Sequence, residues 1–334
     1  MIRKATIIDV AKRAGVSWKT VSRVVNREPN VRAATAEKVR EAIAALDYQP
    51  NQAARSLAGA RSYLIGAIAA NPSSHYMAAL YRGAARACRE RGYHLTLEEI
   101  DLQNGDPAAL LERSLQRVKL DGVILCPPAS DSPSLLELLD RLSIAYVRID
   151  PLTCPDRSPS IAGDDEQGVA ELVDHLWTVG YRSFGIVEGP PNHRAAHVRR
   201  SAFEEALRTK GIEPADIGRE KGDFSFQSGF AAGEALLSSL PSRSAIFACN
   251  DEMAAGVIAA CGEKGINVPG DVAIAGFDDS EIASLIWPPL TTVHQPIEDY
   301  ARVAVELLVD GTPQRQPPPR TVLPVRLITR RSTG

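Results

Sequence analysis

The chain has 334 residues, a length that predicts two or three domains. Its composition, 44% hydrophobic and 24% charged, provides apolar surface for a sizeable core and excludes a disordered or fibrous chain. The sequence contains no run of about 18 uncharged apolar residues, the length that a membrane-spanning helix needs. The charged N-terminus also lacks a signal-peptide pattern, so we expect a cytoplasmic protein.

The formal net charge of -3 combines two opposite parts of the chain. Residues 1–61 hold 12 Lys and Arg against five Asp and Glu, a net charge of +7, whereas residues 62–334 hold 26 against 36, a net charge of -10. A small basic head on a large acidic body is typical of a nucleic-acid-binding protein whose body has another task. Charge alone leaves a solvated basic surface without a partner as an equal alternative.

The basic head begins with the pattern of two short helices. Thr6 is a good N-cap with Asp9 three residues later, and Gly15 ends the first helix. Ser17 is the next N-cap and opens a second helix that runs to Asn26. Two short helices joined by a tight turn that contains Gly form the helix-turn-helix pattern.

The second helix carries the residues that we expect to contact DNA. Its valines face inward, and the outward residues near its N-terminus are Trp18, Lys19, Ser22 and Arg23. Arg23 and Lys19 can donate hydrogen bonds to guanine, and Trp18 can pack on a thymine methyl group or on sugar. Hydroxyls suited to phosphate oxygens are Ser17, Thr20 and Thr35. Thr35 begins a third helix, predicted to run to Leu46.

Residues 50–61 are predicted to form a hinge helix and linker. Asn51 can cap a short helix that Gly59 ends, but one or two turns alone are marginal in water, so the segment should order only when packed. Leu57 is a candidate wedge between base steps in the minor groove. An ordinary linker with a buried leucine is the alternative.

Four segments, residues 6–17, 20–26, 48–51 and 54–57, carry a family resemblance. In order and without an evident gap, they resemble the head and hinge of the lactose-repressor (LacI/GalR) family. The resemblance implies that Trp18, Lys19 and Arg23 read bases and that Leu57 and its dimer mate open the centre of a palindromic operator. The full set of expected DNA contacts is Thr6, Ser17, Trp18, Lys19, Thr20, Ser22, Arg23, Asn26, Thr35, Asn51, Ala54 and Leu57. The Trp18-Lys19 pair departs from the pairs common in this family, so the operator sequence is left open.

In the acidic body, short apolar runs alternate with amphipathic helical patterns, which predicts parallel, doubly wound sheets. The predicted strands span residues 63–69, 94–98, 122–125, 145–149, 183–187, 245–248 and 272–277. The predicted helices span residues 76–91, 166–179, 197–210, 227–239 and 251–264. The alternation is long for one sheet and a proline-rich break interrupts it, which favours two Rossmann-like lobes around a cleft.

The body resembles the periplasmic-binding-protein-like core of the same family, so the resemblance covers essentially the whole chain. We therefore predict an all-α helix-turn-helix head plus an α/β core of two lobes. The expected boundaries are 1–49 for the head, 50–61 for the hinge and linker, and 62–334 for the core. Within the core, the N-lobe spans about 62–161 plus 293–323, and the C-lobe about 162–290 plus 324–334.

The resemblance also implies an effector site. It carries over Asp150, Arg199, Asn250 and Asp278, and a guanidinium opposed by carboxylates and an amide suits vicinal hydroxyls. Two aromatic walls for a sugar or purine ring and one amide complete the set of candidates, which is Tyr76, Asp150, Arg199, Phe224, Asn250, Asp278 and Gln295. For each polar residue alone, a structural cap or an inter-lobe salt bridge is an equal alternative.

Three further residues, Glu188, His193 and His197, lie in the loop before the predicted helix 197–210 and at its start. Glu188 and His193 either tune effector choice or are surface groups, and the sequence leaves both readings open. His193 and His197 have a spacing that suits a metal ion, but no adjacent Glu or third ligand accompanies them. We therefore expect no metal and no cofactor.

The sequence predicts a DNA-binding transcription regulator, specifically a repressor of carbohydrate-utilisation genes. It would act in the cytoplasm, on the nucleoid, as a homodimer on a pseudo-palindromic operator in double-stranded DNA, under allosteric control by a small sugar-like effector. The alternative is a cytoplasmic protein of the periplasmic-binding type with a non-sugar corepressor such as a purine. The chain lacks a leucine-heptad extension after Arg330, which disfavours a tetramer.

The sequence disfavours two other classes of protein. An exported solute-binding protein would need a signal sequence and would not need the basic head. An enzyme is not expected, because no predicted strand is followed by G-x-G-x-x-G or a P-loop and no recognisable catalytic set occurs.

Overall fold

The computed structural model describes residues 5–25, 31–48, 61–70, 73–102, 105–311 and 318–334. The chain divides into two compact units, residues 1–63 and 64–334. Within the described residues, no helix has the length and apolar character that a membrane crossing requires. The predicted hinge helix and the candidate DNA contacts Asn26, Asn51, Ala54 and Leu57 lie outside the described residues.

The first unit contains three described helices, α1 (Ile7–Ala14), α2 (Trp18–Val25) and α3 (Ala33–Ala45). A capping box starts α1, because the Asp9 carboxylate accepts from the Thr6 amide at 2.9 Å and the Thr6 hydroxyl accepts from the Asp9 amide at 3.4 Å. Gly15 ends the helix in the left-handed conformation, with φ of 65°. Both signals were read correctly from the sequence.

The predicted start of the third helix at Thr35 was wrong. The helix begins at Ala33, because the Arg32 carbonyl already accepts from the amides of Thr35 and Ala36 at 2.9 and 3.0 Å. No side-chain cap marks this start, so the sequence carries no signal for it. The three helices enclose a small apolar core of fully buried Val10, Val21 and Val39 with two alanines.

The second unit is built from strands and helices in alternation. Its described strands are β1 (Leu64–Ala69), β2 (His94–Glu99), β3 (Gly122–Leu125), β4 (Tyr146–Ile149), β5 (Ser160–Gly163), β6 (Ser183–Glu188), β7 (Gly218–Lys221), β8 (Ser244–Ala248), β9 (Val272–Ala275), β10 (Thr292–His294), β11 (Arg320–Leu323) and β12 (Arg326–Ile328). Its described α-helices are α4 (Ser74–Glu90), α5 (Pro107–Leu115), α6 (Pro133–Arg141), α7 (Asp165–Val179), α8 (Arg194–Arg208), α9 (Phe226–Ser239), α10 (Asp251–Lys264), α11 (Glu281–Leu285) and α12 (Ile297–Val309).

These strands form two parallel sheets and one short antiparallel ladder. The larger sheet has the order β11-β5-β4-β3-β1-β2, and the smaller one has the order β7-β6-β8-β9. The ladder pairs β10 with β12. The strand order reverses between β1 and β3 in the larger sheet and between β6 and β8 in the smaller one. Such reversals create a crevice at the carboxyl ends of the strands.

Several predicted element boundaries were displaced. Strand β9 ends at Ala275 rather than at Phe277, because the amides of Gly276 and Asp278 donate to the carbonyls of Thr291 and Val293 at 2.9 Å instead of continuing the sheet. Helix α4 begins at Ser74 rather than at Tyr76, because the Ser73 hydroxyl caps it by accepting from the Tyr76 amide at 3.2 Å.

Helices α9 and α10 pack with their backbones in close contact, which fixes the loops that lead into them. A Cβ atom placed on Gly229 of α9 would lie 2.2 Å from the backbone oxygen of Met253, far inside contact distance. The converse holds for Gly256 of α10, whose added Cβ would lie 2.2 Å from the backbone oxygen of Phe226. Only glycine permits this spacing.

The substitution Gly229→Ala is expected to destabilise the protein by about 1–3 kcal/mol, because two backbones must separate to admit the methyl group. Gly262→Ala is the matched control, since Gly262 lies in α10 with nothing within 4 Å of an added Cβ, and it should stabilise the helix by up to about 1 kcal/mol. Denaturant unfolding of the two variants measures the difference. Equal effects would show that the helices do not depend on this contact.

Candidate ligand-binding cleft and DNA-contacting helix

A cleft lined by polar and aromatic side chains opens in the second unit. All seven residues proposed from the sequence as effector contacts line it. The lining residues are Ser73, Tyr76, Pro127, Asp150, His193, Ala195, Arg199, Phe224, Asn250, Asp278, Gln295 and Tyr300.

The topology explains why these residues meet. Asp150 directly follows β4, Asn250 lies two residues after β8, and Asp278 lies three residues after β9. Tyr76 lies in the first turn of α4, and Phe224 lies three residues after β7. Because parallel strands of a doubly wound sheet end at one edge, the carboxyl ends of both sheets supply the walls of one crevice.

Arg199 of α8 is the centre of the cleft, with only 3% of its surface exposed. Its Nε donates to Asp165 Oδ2 at 2.8 Å, its Nη1 donates to the Cys249 carbonyl at 2.6 Å, and the same Nη1 lies 3.6 Å from Asp278 Oδ1. Its guanidinium carbon lies 3.7 Å from the centroid of the Phe277 ring. Burial by itself would lower the pKa of Arg199, but the two carboxylates raise it, so the side chain is charged.

A second ion pair joins the two sheets. Arg194, the first residue of α8, donates to Asp150 Oδ1 at 2.7 Å. Asp150 follows a strand of the larger sheet, whereas α8 connects β6 and β7 of the smaller sheet. Asp150 thus both lines the cleft and forms an inter-lobe salt bridge. The sequence analysis did not predict its partner, Arg194.

Asp278 belongs to a buried hydrogen-bond chain. Its Oδ1 accepts from Gln295 Nε2 at 2.5 Å, and the Gln295 Oε1 accepts from the Tyr300 hydroxyl of α12 at 3.4 Å. Burial raises the pKa of Asp278 well above its ordinary value, although the nearby Arg199 opposes the rise. These hydrogen bonds connect the segment after β9 to α12, a helix that packs on the larger sheet.

Three non-glycine lining residues adopt left-handed backbone conformations. The φ angles are 46° at Asp150, 72° at Phe224 and 118° at Asp278. Such conformations are costly for residues with a Cβ and persist where the surroundings enforce them, often at binding sites. Their concentration in one cleft supports a functional role for it.

Asn250 is at the same time a lining residue and a helix cap. Its Oδ1 accepts from the Met253 amide at 3.0 Å, which caps α10, and its Nδ2 donates to the Phe224 carbonyl at 3.0 Å. Asn250 thus has the structural role of a helix cap that the sequence analysis named as an alternative. Its Nδ2 also holds the loop that contains Phe224 in place.

The sequence left open whether Glu188 and His193 contact the effector or are surface groups, and the structure places the two residues differently. Glu188 does not line the cleft, and its Oε2 lies 3.8 Å from Nη1 of Arg200. His193 lines the cleft and is 4% exposed, and its Nδ1 lies 3.0 Å from Asn192 Oδ1. Among the described residues, His193 Nε2 is the one buried side-chain nitrogen or oxygen without a hydrogen-bond partner.

The spacing of His193 and His197 does not create a metal site in this structure. His197 Nε2 lies 2.7 Å from the Pro191 carbonyl oxygen and is engaged there. Across the described ranges, no group of three or more His, Cys, Asp or Glu side chains is placed to hold a metal ion.

In the first unit, α2 presents the expected outward face. Trp18, Lys19 and Arg23 are exposed, and the Lys19 Nζ lies 5.9 Å from the centroid of the Trp18 ring. The Ser17 hydroxyl accepts from the Thr20 amide at 3.2 Å and thereby caps α2. The remaining described candidates are Thr6, which is exposed, and Thr20, Ser22 and Thr35, which are half-buried.

A helix-turn-helix unit followed by a two-sheet α/β body with a polar cleft defines a class of regulators that join a DNA-binding head to a ligand-binding core. Residues 6–51 match the model of bacterial regulatory proteins of the lacI family, and residues 173–333 match that of the periplasmic binding protein-like domain. The ribose operon repressor of Escherichia coli K12 is 34% identical over 306 residues, which are 91% of this chain and 92% of that protein. The chain belongs to the LacI family of bacterial transcription regulators, which confirms the predicted family and fold class.

Solved structures agree over nearly the full length. The transcriptional regulator CelR in complex with cellobiose shares 31% identity at a TM-score of 0.73 and covers 98% of this chain and 99% of its own. The lac repressor dimer bound to operator and the anti-inducer ONPF shares 29% identity at a TM-score of 0.76 and covers 99% of both chains. The predicted function as a DNA-binding transcription regulator is thereby confirmed.

Arg199→Ala is expected to destabilise the protein by about 3–5 kcal/mol, because it leaves Asp165 and Asp278 buried without their counter-charge. Arg200→Ala is the matched control on the next residue of α8, where the side chain is 38% exposed and lies 3.8 Å from two carboxylates. It should change the free energy of unfolding by less than about 0.5 kcal/mol. Denaturant unfolding measures both, and similar losses would contradict the central role of Arg199.

Proposed function

We propose that this regulator is a repressor of carbohydrate-utilisation genes whose cleft binds a small, neutral sugar. The observation that carries the proposal is the buried Arg199 with Asp150, Asp278 and Asn250 around it in one cleft. Guanidinium and amide nitrogens donate and carboxylates accept, which suits the paired donor and acceptor character of sugar hydroxyls. The regulator would act by binding, without catalysis, on the nucleoid in the cytoplasm.

The charges in and beside the cleft favour a neutral ligand over an anionic one. Arg194 is paired with Asp150, and Arg199 is paired with Asp165 and lies 3.6 Å from Asp278. A phosphate or carboxylate group of a ligand would therefore have to displace one of these carboxylates to reach a guanidinium. A phosphorylated sugar is therefore a poorer candidate than a free one.

Two comparisons support a sugar. The ribose operon repressor carries a sugar in its name, and the CelR structure contains cellobiose. The purine alternative rests on the aromatic ring of Phe224, which lines the cleft, and a purine in the ligand panel tests it directly.

The proposed mechanism exchanges protein contacts for ligand contacts. Sugar hydroxyls that reach Asp150 compete with Arg194, so binding alters the contact that joins the ends of the two sheets. A change in the angle between the lobes would then alter the hinge segment and the affinity for operator DNA. Such coupling is reciprocal and requires two sites and two states.

We propose that the protein acts as a homodimer on a pseudo-palindromic operator. Leu285 and Trp287 are each 73% exposed and lie two residues apart, which is unusual for large apolar side chains on a monomer. The lac repressor structure is that of a dimer bound to operator. A symmetric dimer reads two half-sites related by a two-fold axis, so the operator should be palindromic.

Selection of binding sites from random DNA duplexes by the full chain should yield a pseudo-palindrome. Fluorescence anisotropy on that duplex then tests D-glucose, D-ribose, cellobiose and hypoxanthine. One neutral sugar is expected to change the operator affinity by about 5-fold to 150-fold. A response to hypoxanthine alone would favour the purine alternative, and no response to any sugar would overturn the proposed effector class.

Arg23→Ala is expected to weaken operator binding by about 1–3 kcal/mol and to relax preference at one base pair in each half-site, because Arg23 donates to guanine. Arg40→Ala is the control within the head, since Arg40 lies on α3 and pairs with Glu37 at 2.7 Å. That variant should bind all sequences nearly as wild type does. Binding to a set of single-base operator variants separates the two, and an unchanged preference in Arg23→Ala would contradict base reading.

A further inference from the structure

One polar atom among the residues that line the cleft differs from the others, because no described residue forms a hydrogen bond with it. The other polar groups at the centre of the cleft have protein partners, Arg199 with Asp165 and Asp150 with Arg194 among them. His193 Nε2 is buried and has no hydrogen-bond partner in the described residues. A buried polar atom left unpaired is unfavourable by about 1–3 kcal/mol, so its presence at a binding cleft points to a partner that arrives with the ligand.

The neighbour of the other ring nitrogen defines the tautomer. His193 Nδ1 lies 3.0 Å from Asn192 Oδ1, an amide oxygen that can only accept a hydrogen bond. With the Asn192 amide in this orientation, Nδ1 carries the ring proton and donates it. In the neutral ring the opposite nitrogen, Nε2, then has a lone pair and no proton, so it can only accept.

The ring is held in this position by packing. The His193 and Phe224 rings are perpendicular, with centroids 5.2 Å apart. The Phe224 ring in turn lies against Gly189, where an added Cβ would come within 2.5 Å of it, and the Phe224 carbonyl is bonded by Asn250. The orientation of the His193 ring at the cleft is thus fixed.

We propose that His193 is a specificity-determining residue whose neutral imidazole accepts, through Nε2, a hydrogen bond from one hydroxyl group of the bound sugar. Burial and the nearby Arg199 charge lower the pKa of His193 to about 4, which agrees with a neutral ring at physiological pH. The cleft then selects sugars that carry a hydroxyl group at the position of the sugar ring that faces His193 Nε2. This inference rests on the proposed function and deepens it.

This contact should discriminate more strongly than the others. A sugar hydroxyl that meets Asp150 replaces an existing protein contact, whereas one that meets His193 Nε2 satisfies an atom that had none. A ligand lacking that hydroxyl leaves the acceptor buried and unpaired in the complex, which is the condition under which binding sites reject analogues most strongly.

Titration calorimetry on the full chain tests the proposal with D-glucose, D-ribose and cellobiose, followed by the monodeoxy analogues of the sugar that binds. Wild type should bind one monodeoxy analogue at least about tenfold more weakly than the parent sugar, a difference of about 1.4 kcal/mol. His193→Leu should bind the parent sugar as weakly as wild type binds that analogue. The same variant should no longer distinguish the two sugars.

Two further substitutions separate this contact from a general effect on the cleft. His193→Gln places a side-chain amide near the position of Nε2 and should retain part of the affinity and the discrimination, whereas His193→Asn reaches only the position of Nδ1 and should behave like His193→Leu. His197→Gln is the matched control, because His197 Nε2 is already engaged by the Pro191 carbonyl. It should leave sugar affinity unchanged.

The outcomes distinguish this inference from the function on which it rests. If a sugar binds wild type and shifts its operator affinity, but His193→Leu binds that sugar equally well, the role of His193 is refuted and the proposed function stands. If none of the three sugars binds wild type, the sugar effector is refuted and the role of His193 with it. Thermal unfolding of each variant verifies that it is folded, and His193→Leu should unfold at the same or a higher temperature than wild type, since it removes an unpaired acceptor.

Discussion

The buried charge of Arg199 is the constraint on which the cleft depends. A guanidinium can remain out of water only if carboxylates and carbonyls surround it, and here Asp165, Asp278 and the Cys249 carbonyl do so. These three groups arrive from the start of α7 and from the ends of β9 and β8. One side chain therefore brings three separate elements to one point, and the left-handed backbone at Asp278 is part of that convergence.

In the proposed mechanism, the same kind of ion pairing makes the cleft responsive to a ligand. Arg194 and Asp150 hold the ends of the two sheets together at 2.7 Å, so a ligand that takes either partner also changes how the sheets are joined. A cleft lined by unpaired charges would bind polar ligands without this exchange. In the proposed role of His193, Nε2 is an acceptor without a partner among the described residues, so part of the binding energy would come without loss of any protein contact.

Local signals in the sequence predicted local structure well, and long-range pairing escaped them. The Thr6–Asp9 capping box and Gly15 depend on neighbouring residues and were read correctly. Strand β7 was missed because its side chains are polar and none is buried, so no apolar run marks it. Arg194 pairs with Asp150 across 44 residues and Arg199 with Asp165 across 34, separations at which one sequence carries no signal. The seven cleft residues were predicted from the family resemblance. The lack of a partner for His193 Nε2 among the described residues could be seen only in the three-dimensional structure.

If ligand binding in the cleft controls operator binding, the two affinities are linked reciprocally, and measuring this linkage is the most direct test. The affinity of the responsive sugar would be measured by calorimetry on the full chain, once free and once saturated with the selected operator duplex. The two sugar affinities should differ by the same factor by which the sugar changes operator affinity. Equal sugar affinities with and without operator would contradict control of DNA binding from the cleft.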